Sequence, residues 1–211
     1  VINMRERVER KQHITKEFDN KEEFELNWVE ASVHPIGAVG LWNSMIKIIK
    51  MAKEKGDDII VICEDDHYFT ENYSPKLLFK EVTEAYIQGA EVLTGGIGGF
   101  GQAIPAGYHR YKVDWFWCTQ FIVIYNRFFD KMLDYSFQNT DTADGVISKL
   151  ATNIMVIYPF ISEQKDFGYS DVTQSNMEQQ GKIREHFARA NKRMEFVSQS
   201  NMQSNIPKNY F

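Results

Sequence analysis

Ile59-Ile60-Val61-Ile62-Cys63-Glu64-Asp65-Asp66-His67 is the stretch on which the reading of the fold turns. Four β-branched residues and a cysteine follow one another without a polar break, the pattern of a strand buried on both faces. An acidic run begins at the next residue. In open α/β sheets, ligands bind beyond the carboxyl ends of the strands. That rule places Glu64-Asp65-Asp66 at a ligand-binding edge. Three adjacent carboxylates repel one another and are costly to desolvate unless a cation compensates. Hard oxygen ligands suit Mg²⁺ or Mn²⁺, either of which can bridge carboxylates to a diphosphate. A solvated acidic turn fits the same spacing, so the spacing alone leaves both readings open.

Outward from this run, helical and strand periods alternate, the mark of an α/β fold. Upstream, Val1-Ile2-Asn3 reads as the end of a strand, followed by a charged helix over Arg5–Phe18 and a short strand over Asn27–Ala31. Leu41, Met45, Ile48, Ile49 and Ala52 recur at helical spacing and predict an amphipathic helix over Val39–Lys55. Downstream, Ser74-Pro75 supplies a cap and a first-turn proline for a helix that Gly89 stops. A strand over Glu91–Thr94, a glycine-rich loop over Gly95–Gly107 and a buried strand over Phe121–Tyr125 come next. Asn126 opens a further helix, Asp141 or Thr142 caps another through Leu150, and Ile154–Tyr158 reads as the last strand. A basic amphipathic helix over Gln179–Phe196, with Lys182, Arg184, Arg189, Lys192 and Arg193, precedes a polar tail. No linker divides the chain.

Composition narrows the function. The 211 residues suffice for one domain with a full core. Acidic residues outnumber basic ones by 29 to 24, which argues against a nucleic-acid partner, because such binding needs a basic footprint. Cys63 and Cys118 lack metal-site spacing and read as buried thiols of a reducing compartment, here the cytoplasm. No apolar run reaches the roughly 18–20 residues that span a bilayer. No signal-peptide pattern opens the chain, and its start at Val1 leads us to expect an initiator methionine and a few residues before it.

The order Val1-Ile2-Asn3-Met4-Arg5-Glu6-Arg7, a helix beginning near Gly37–Ser44, and Ile59–Asp66 resembles the family 25 glycosyltransferases, the lipopolysaccharide-type and collagen-type galactosyltransferases. The resemblance covers residues 1–75 well and is weaker over 115–171. It implies a single-domain GT-A (Rossmann-like) α/β fold over residues 1–178, a mostly parallel central sheet flanked by helices, with the basic helix and tail at 179–211. It implies transfer of galactose or a related hexose from a UDP-sugar, with Mn²⁺ or Mg²⁺ and inversion, to a glycan or lipid-linked acceptor in bacterial cell-surface polysaccharide biosynthesis. Carried over by residue, Asp66 is the direct metal ligand and Glu64 the outer member of a DxD-like motif. Asp65 shares the nucleotide-sugar site but points away as a turn residue, while Asn3 and Arg7 lie near the uridine and diphosphate. The chain departs from the family at Gly37-Ala38-Val39-Gly40-Leu41-Trp42-Asn43-Ser44, which lacks the usual cysteine and histidine.

An inverting transfer needs a general base for the acceptor hydroxyl. Asp144, in the first turn of a predicted helix, is the candidate, with Asp141 second, although aspartates favour helix starts whatever their role. Gly96-Ile97-Gly98-Gly99-Phe100-Gly101 matches GxGxxG, yet Gln102–Gly107 opens no helix, so it reads as a flexible loop beside the sugar site. Trp115 and Trp117 are candidates to stack on acceptor sugars, with Phe116 inward. His67 is kept as a neighbour of the metal ligands, and Asp166 and Asp171 as late ligands. The terminal helix reads as a solvated face, or as peripheral contact with the inner membrane. The rival readings are a nucleotidyltransferase on a similar fold and a catalytically silent carbohydrate-binding or scaffold domain.

Overall fold

The computed structural model describes residues 1–170, 172 and 181–204. The chain runs β1 (Ile2–Asn3), α1 (Val8–Glu17), β2 (Val29–Glu30), α2 (Gly37–Lys55), β3 (Ile59–Cys63), β4 (His67–Phe69), α3 (Pro75–Ile87) and β5 (Val92–Thr94). It continues through β6 (Ala103–Pro105), β7 (Arg110–Val113), β8 (Phe121–Tyr125), α4 (Asn126–Leu133), α5 (Ala143–Leu150), β9 (Ile154–Ile157), β10 (Ser162–Gln164) and α6 (Lys182–Ser204). Local chemistry sets several boundaries. Gly56 ends α2 in the left-handed conformation at φ 75°. Ser74 accepts from the Leu77 amide to cap α3, whose first residue is Pro75.

The main sheet has the order β3-β8-β5-β9-β7-β6. It is not mostly parallel, as the resemblance implied: only β5 and β9 pair in parallel, and the other four pairings are antiparallel. A parallel return needs a long crossover, usually a helix. No helix lies between β5 and β8. The chain makes the β6–β7 hairpin there instead and re-enters the sheet from the carboxyl end of β5, so β8 must run against both its neighbours. β3, β5 and β9 still point the same way, and β1 and β2 pair in parallel with each other. A parallel bridge between Ile2 and Glu64 carries β1 up to the end of β3.

That arrangement corrects a second expectation. β3 is an edge strand of the main sheet, and Ile59 and Val61 stand 37% and 36% exposed. Only its carboxyl end is covered, because β1 is two residues long and reaches no further than Glu64. β8, inside the sheet, is buried on both faces. Its period-two alternation sends Ile122 and Ile124 into one core layer with Met45, Ile49 and Val156, and Phe121, Val123 and Tyr125 into the other with Ile14, Leu78 and Met155.

Helix α6 is not a wholly solvated face. Phe187, Ala190 and Met194 are 1%, 2% and 0% exposed and join the larger core layer, leaving Arg184, Arg189 and Lys192 outside. Arg193 donates to the Phe100 and Gly101 carbonyls at 2.6 and 2.8 Å and lies over the Phe100 ring. The glycine-rich segment it grips is no open loop either, since residues 95–100 are all buried. A Cβ on Gly96 would meet the Ser162 carbonyl at 2.0 Å, and one on Gly99 the Trp117 ring at 2.7 Å. Those glycines serve close packing. Among the described residues no helix is long and apolar enough to cross a membrane.

Candidate functional site

The parallel run of β1, β2 and β3 brings Asn3, Ala31 and Glu64–Asp66 to one edge, beside a cavity of about 380 Å³. The cavity is completed by Trp117–Thr119 ahead of β8, Thr142–Asp144 at the start of α5, Gln164 of β10, and Ile183 and His186 of α6. Its size lies within the range of small-molecule sites.

The three carboxylates of the run have different surroundings. Glu64 accepts a hydrogen bond from the Thr119 hydroxyl at 2.6 Å. Asp65, 7% exposed, accepts from Asn3 Nδ2 at 2.7 Å and from Arg10 Nη1 at 2.8 Å. Far from pointing away as a turn residue, it is clamped, because an isolated carboxylate at that depth needs partners. Asp66, 5% exposed, accepts at Oδ2 from Arg10 Nη1 at 3.2 Å and from Gln164 Nε2 at 2.9 Å. Its Oδ1 is buried with no hydrogen-bond partner.

One guanidinium thus answers three carboxylates, and the imbalance shows in the protonation of Glu64 and Asp66. Burial, then the charge of Asp66, pushes Glu64 up to about 8. Burial also raises Asp66, to about 6, against the pull of Arg10. Burial works against the charge of Arg10, but Asp66 and Asp65 outweigh it and its pKa is raised.

Metal fit can be tested on the donor set. Among the described residues no group of three or more His, Cys, Asp or Glu side chains converges on one point. What the site offers is the unpartnered Asp66 Oδ1, with Glu64 beside it. Mg²⁺ and Mn²⁺ commonly take one or two carboxylates and fill the remaining positions with water and phosphate oxygens. The residues fit such an ion and not a fully protein-enclosed one.

Other expected residues divide. Asp144 lines the cavity. Its Oδ2 accepts from the Cys118 amide at 3.1 Å, and its Oδ1 from the Thr142 hydroxyl and the Gly145 amide at 2.6 and 2.8 Å. It thereby holds Cys118 at φ 79°, a conformation non-glycine residues rarely adopt. Asp141 is not among the lining residues and accepts from Tyr135 and Gln138. Trp117, 46% exposed, lines the cavity between Trp115 and His186, with ring centroids 5.2 and 5.5 Å away. Trp115 backs it without reaching the cavity. Arg7 also stands outside the lining, 4.4 Å over the Tyr169 ring. His67 is fully buried away from the cavity, among Phe69 and Phe121, with Nδ1 on Ser162 Oγ. Asp166 accepts from the Gly168 and Gly181 amides, both at 2.7 Å. Asp171 lies outside the described residues, as does the 178/179 boundary.

Arg10, Thr119 and Gln164 were not singled out in the sequence. For Arg10 a signal existed: it shares a helical stripe with Ile14 and Phe18, at spacings of four and eight, so an arginine lay on the inward face.

No protein-family model and no curated protein matches the chain. Among solved structures, A197 from STIV is similar, with 15% identity, a TM-score of 0.52, and coverage of 75% of this chain and 80% of that one. The likeness is one of fold. Apo UDP-glucose pyrophosphorylase matches at 10% identity and a TM-score of 0.44, over 79% of this chain and 64% of that one. UDP-glucose pyrophosphorylase complexed with UDP-glucose matches at 9% identity and 0.47, over 90% and 80%. Both scores fall short of a shared fold.

Proposed function

We propose that the chain is a nucleotide-sugar-dependent glycosyltransferase of the GT-A, family 25 kind, moving a hexose from a UDP-sugar to a glycan or lipid-linked acceptor. The observation that carries the reading is the unpartnered, buried Oδ1 of Asp66, a residue just beyond the carboxyl end of β3 that lines a ligand-sized cavity. A divalent ion bound there would offset the charge that builds on the departing diphosphate. The protein's share is positioning: Asn3 and Arg10 fix Asp65, Gln164 fixes Asp66, and Thr119 fixes Glu64. Asp144 faces the same space, and each carboxylate oxygen has two lone pairs. With one bond from Cys118, its Oδ2 keeps a lone pair to take the acceptor's proton. Trp117 offers a half-exposed ring on which a sugar can stack.

Calorimetric titration of UDP with and without Mn²⁺ tests this reading. Metal-dependent binding that Asp66→Ala abolishes is expected, while binding indifferent to both metal and Asp66 would defeat it.

A further inference from the structure

Arg10 is 7% exposed, and all three of its guanidinium nitrogens are engaged. Nη1 is shared between Asp65 Oδ1 at 2.8 Å and Asp66 Oδ2 at 3.2 Å. Nη2 donates to the Tyr169 carbonyl at 3.1 Å and Nε to the Tyr169 hydroxyl oxygen at 3.3 Å. The Phe167 and Tyr169 rings each lie 4.8 Å from the guanidinium carbon. The Tyr169 hydroxyl donates in turn to Glu9. One planar cation therefore ties the acidic run to the segment Phe167–Tyr169, next to Ser170 and Val172 of the cavity lining.

A guanidinium is a rigid fork whose donors move together. A turn of its plane that breaks the longer Asp66 contact also carries Nε and Nη2 off Tyr169. Two cations on one buried carboxylate repel, and Asp66 already has an oxygen with no partner. We propose that Arg10 is a resident counter-ion that a divalent cation must push off Asp66, and that its departure releases the Phe167–Tyr169 segment beside the cavity. The inference rests on the reading of Asp66 as a metal ligand and adds a competitor and a moving part to it. Arg10 is here a positioning residue. Because such coupling is reciprocal, loosening Arg10 must tighten the metal.

The test is a titration of the full chain with Mn²⁺ alone, by calorimetry and electron paramagnetic resonance, in wild type, Arg10→Gln and Tyr169→Leu. Arg10→Gln is expected to tighten Mn²⁺ by about 5- to 150-fold, the usual span of coupling between sites. Tyr169→Leu keeps the guanidinium charge and the main-chain carbonyl that Nη2 reaches, but removes the hydroxyl and the ring that hold the rest of the fork; it is expected to tighten Mn²⁺ less, and carries the test should Arg10→Gln fail to fold. Amide hydrogen exchange over residues 165–170 should speed up when Mn²⁺ is added to wild type, and should already be fast in Arg10→Gln. Mn²⁺ affinity unchanged or weakened in the variants would overturn the displacement, because an arginine that merely orients the carboxylates gives that result. Mn²⁺ binding without altered exchange at 165–170 would overturn the release. No Mn²⁺ binding to any of the three proteins would bring down the metal reading together with the inference.

Discussion

Neutralising the two strained carboxylates, Glu64→Gln with Asp66→Asn, should stabilise the metal-free protein at alkaline pH. The folded chain holds protons there that the unfolded chain has released. Asp66 is raised from 3.8 to about 6 and Glu64 from 4.5 to about 8. More protons bound to the folded state means stability that falls as pH rises. The loss begins near pH 4, where the unfolded carboxylates ionise, and is complete above pH 8, once Glu64 has ionised in the fold. For Asp66 alone the shift of roughly two units, at 1.36 kcal/mol each, gives about 3 kcal/mol. At roughly 2–4 °C per kcal/mol for a chain of this size, that is about 6–12 °C in Tm. His67 acts in the opposite direction. Burial lowers it from 6.5 to about 3, so its contribution is present above pH 6.5 and drains away as pH falls. The decisive quantity is therefore the difference between wild type and the double variant, measured by scanning calorimetry in EDTA from pH 5 to 8.5. The variant should gain on wild type as pH rises and melt higher at pH 8.5. Parallel curves, or a variant that loses ground with rising pH, would refute the claim that these carboxylates are ionised at a cost.

Phe187→Ala should lower stability by about 3–5 kcal/mol, the usual cost of emptying a phenylalanine site in a core; an unchanged Tm would show that α6 is not part of that core. Gly96→Ala should prevent folding or cost more than about 4 kcal/mol, since its methyl would sit 2.0 Å from the Ser162 carbonyl. Circular dichroism and solubility of the purified variant check this, and a normal melt would show the strand end to be slack. Asp144→Asn should leave UDP–Mn²⁺ binding intact and slow transfer by about 10²–10⁴-fold. Steady-state rates comparable to wild type would remove Asp144 from the reaction.

What could be read in the sequence, and what could not, follows from how far each signal reaches. The runs Ile59–Cys63 and Phe121–Tyr125 announce strands because their periodicity is local, and α2 and α3 announce themselves through apolar spacing and caps. Strand direction is a property of the connection. The hairpin between β5 and β8 lay in a segment whose glycines suggested a loop, and with it went the sheet's parallel character. β4 and β10 are three residues each and draw their pairing from each other across more than ninety positions, so neither carries a pattern of its own. The acidic run was visible, but its counter-ion was not. Arg10 is 55 residues from Asp65 in sequence and becomes its partner only when α1 packs against the sheet end.

Asp166 fastens the Gly168 and Gly181 amides with one carboxylate, so two points thirteen residues apart in sequence are pinned together at the root of α6. The number of residues between them can therefore change without moving that root, and closing a longer span costs only a few tenths of a kcal/mol for modest insertions. Ser170 and Val172, which lie between the two glycines in sequence, form part of the cavity wall. Selection, natural or in the laboratory, can thus retune what the cavity admits at Ser170 and Val172 while Tyr169, Arg10 and the Glu64–Asp66 floor keep their places.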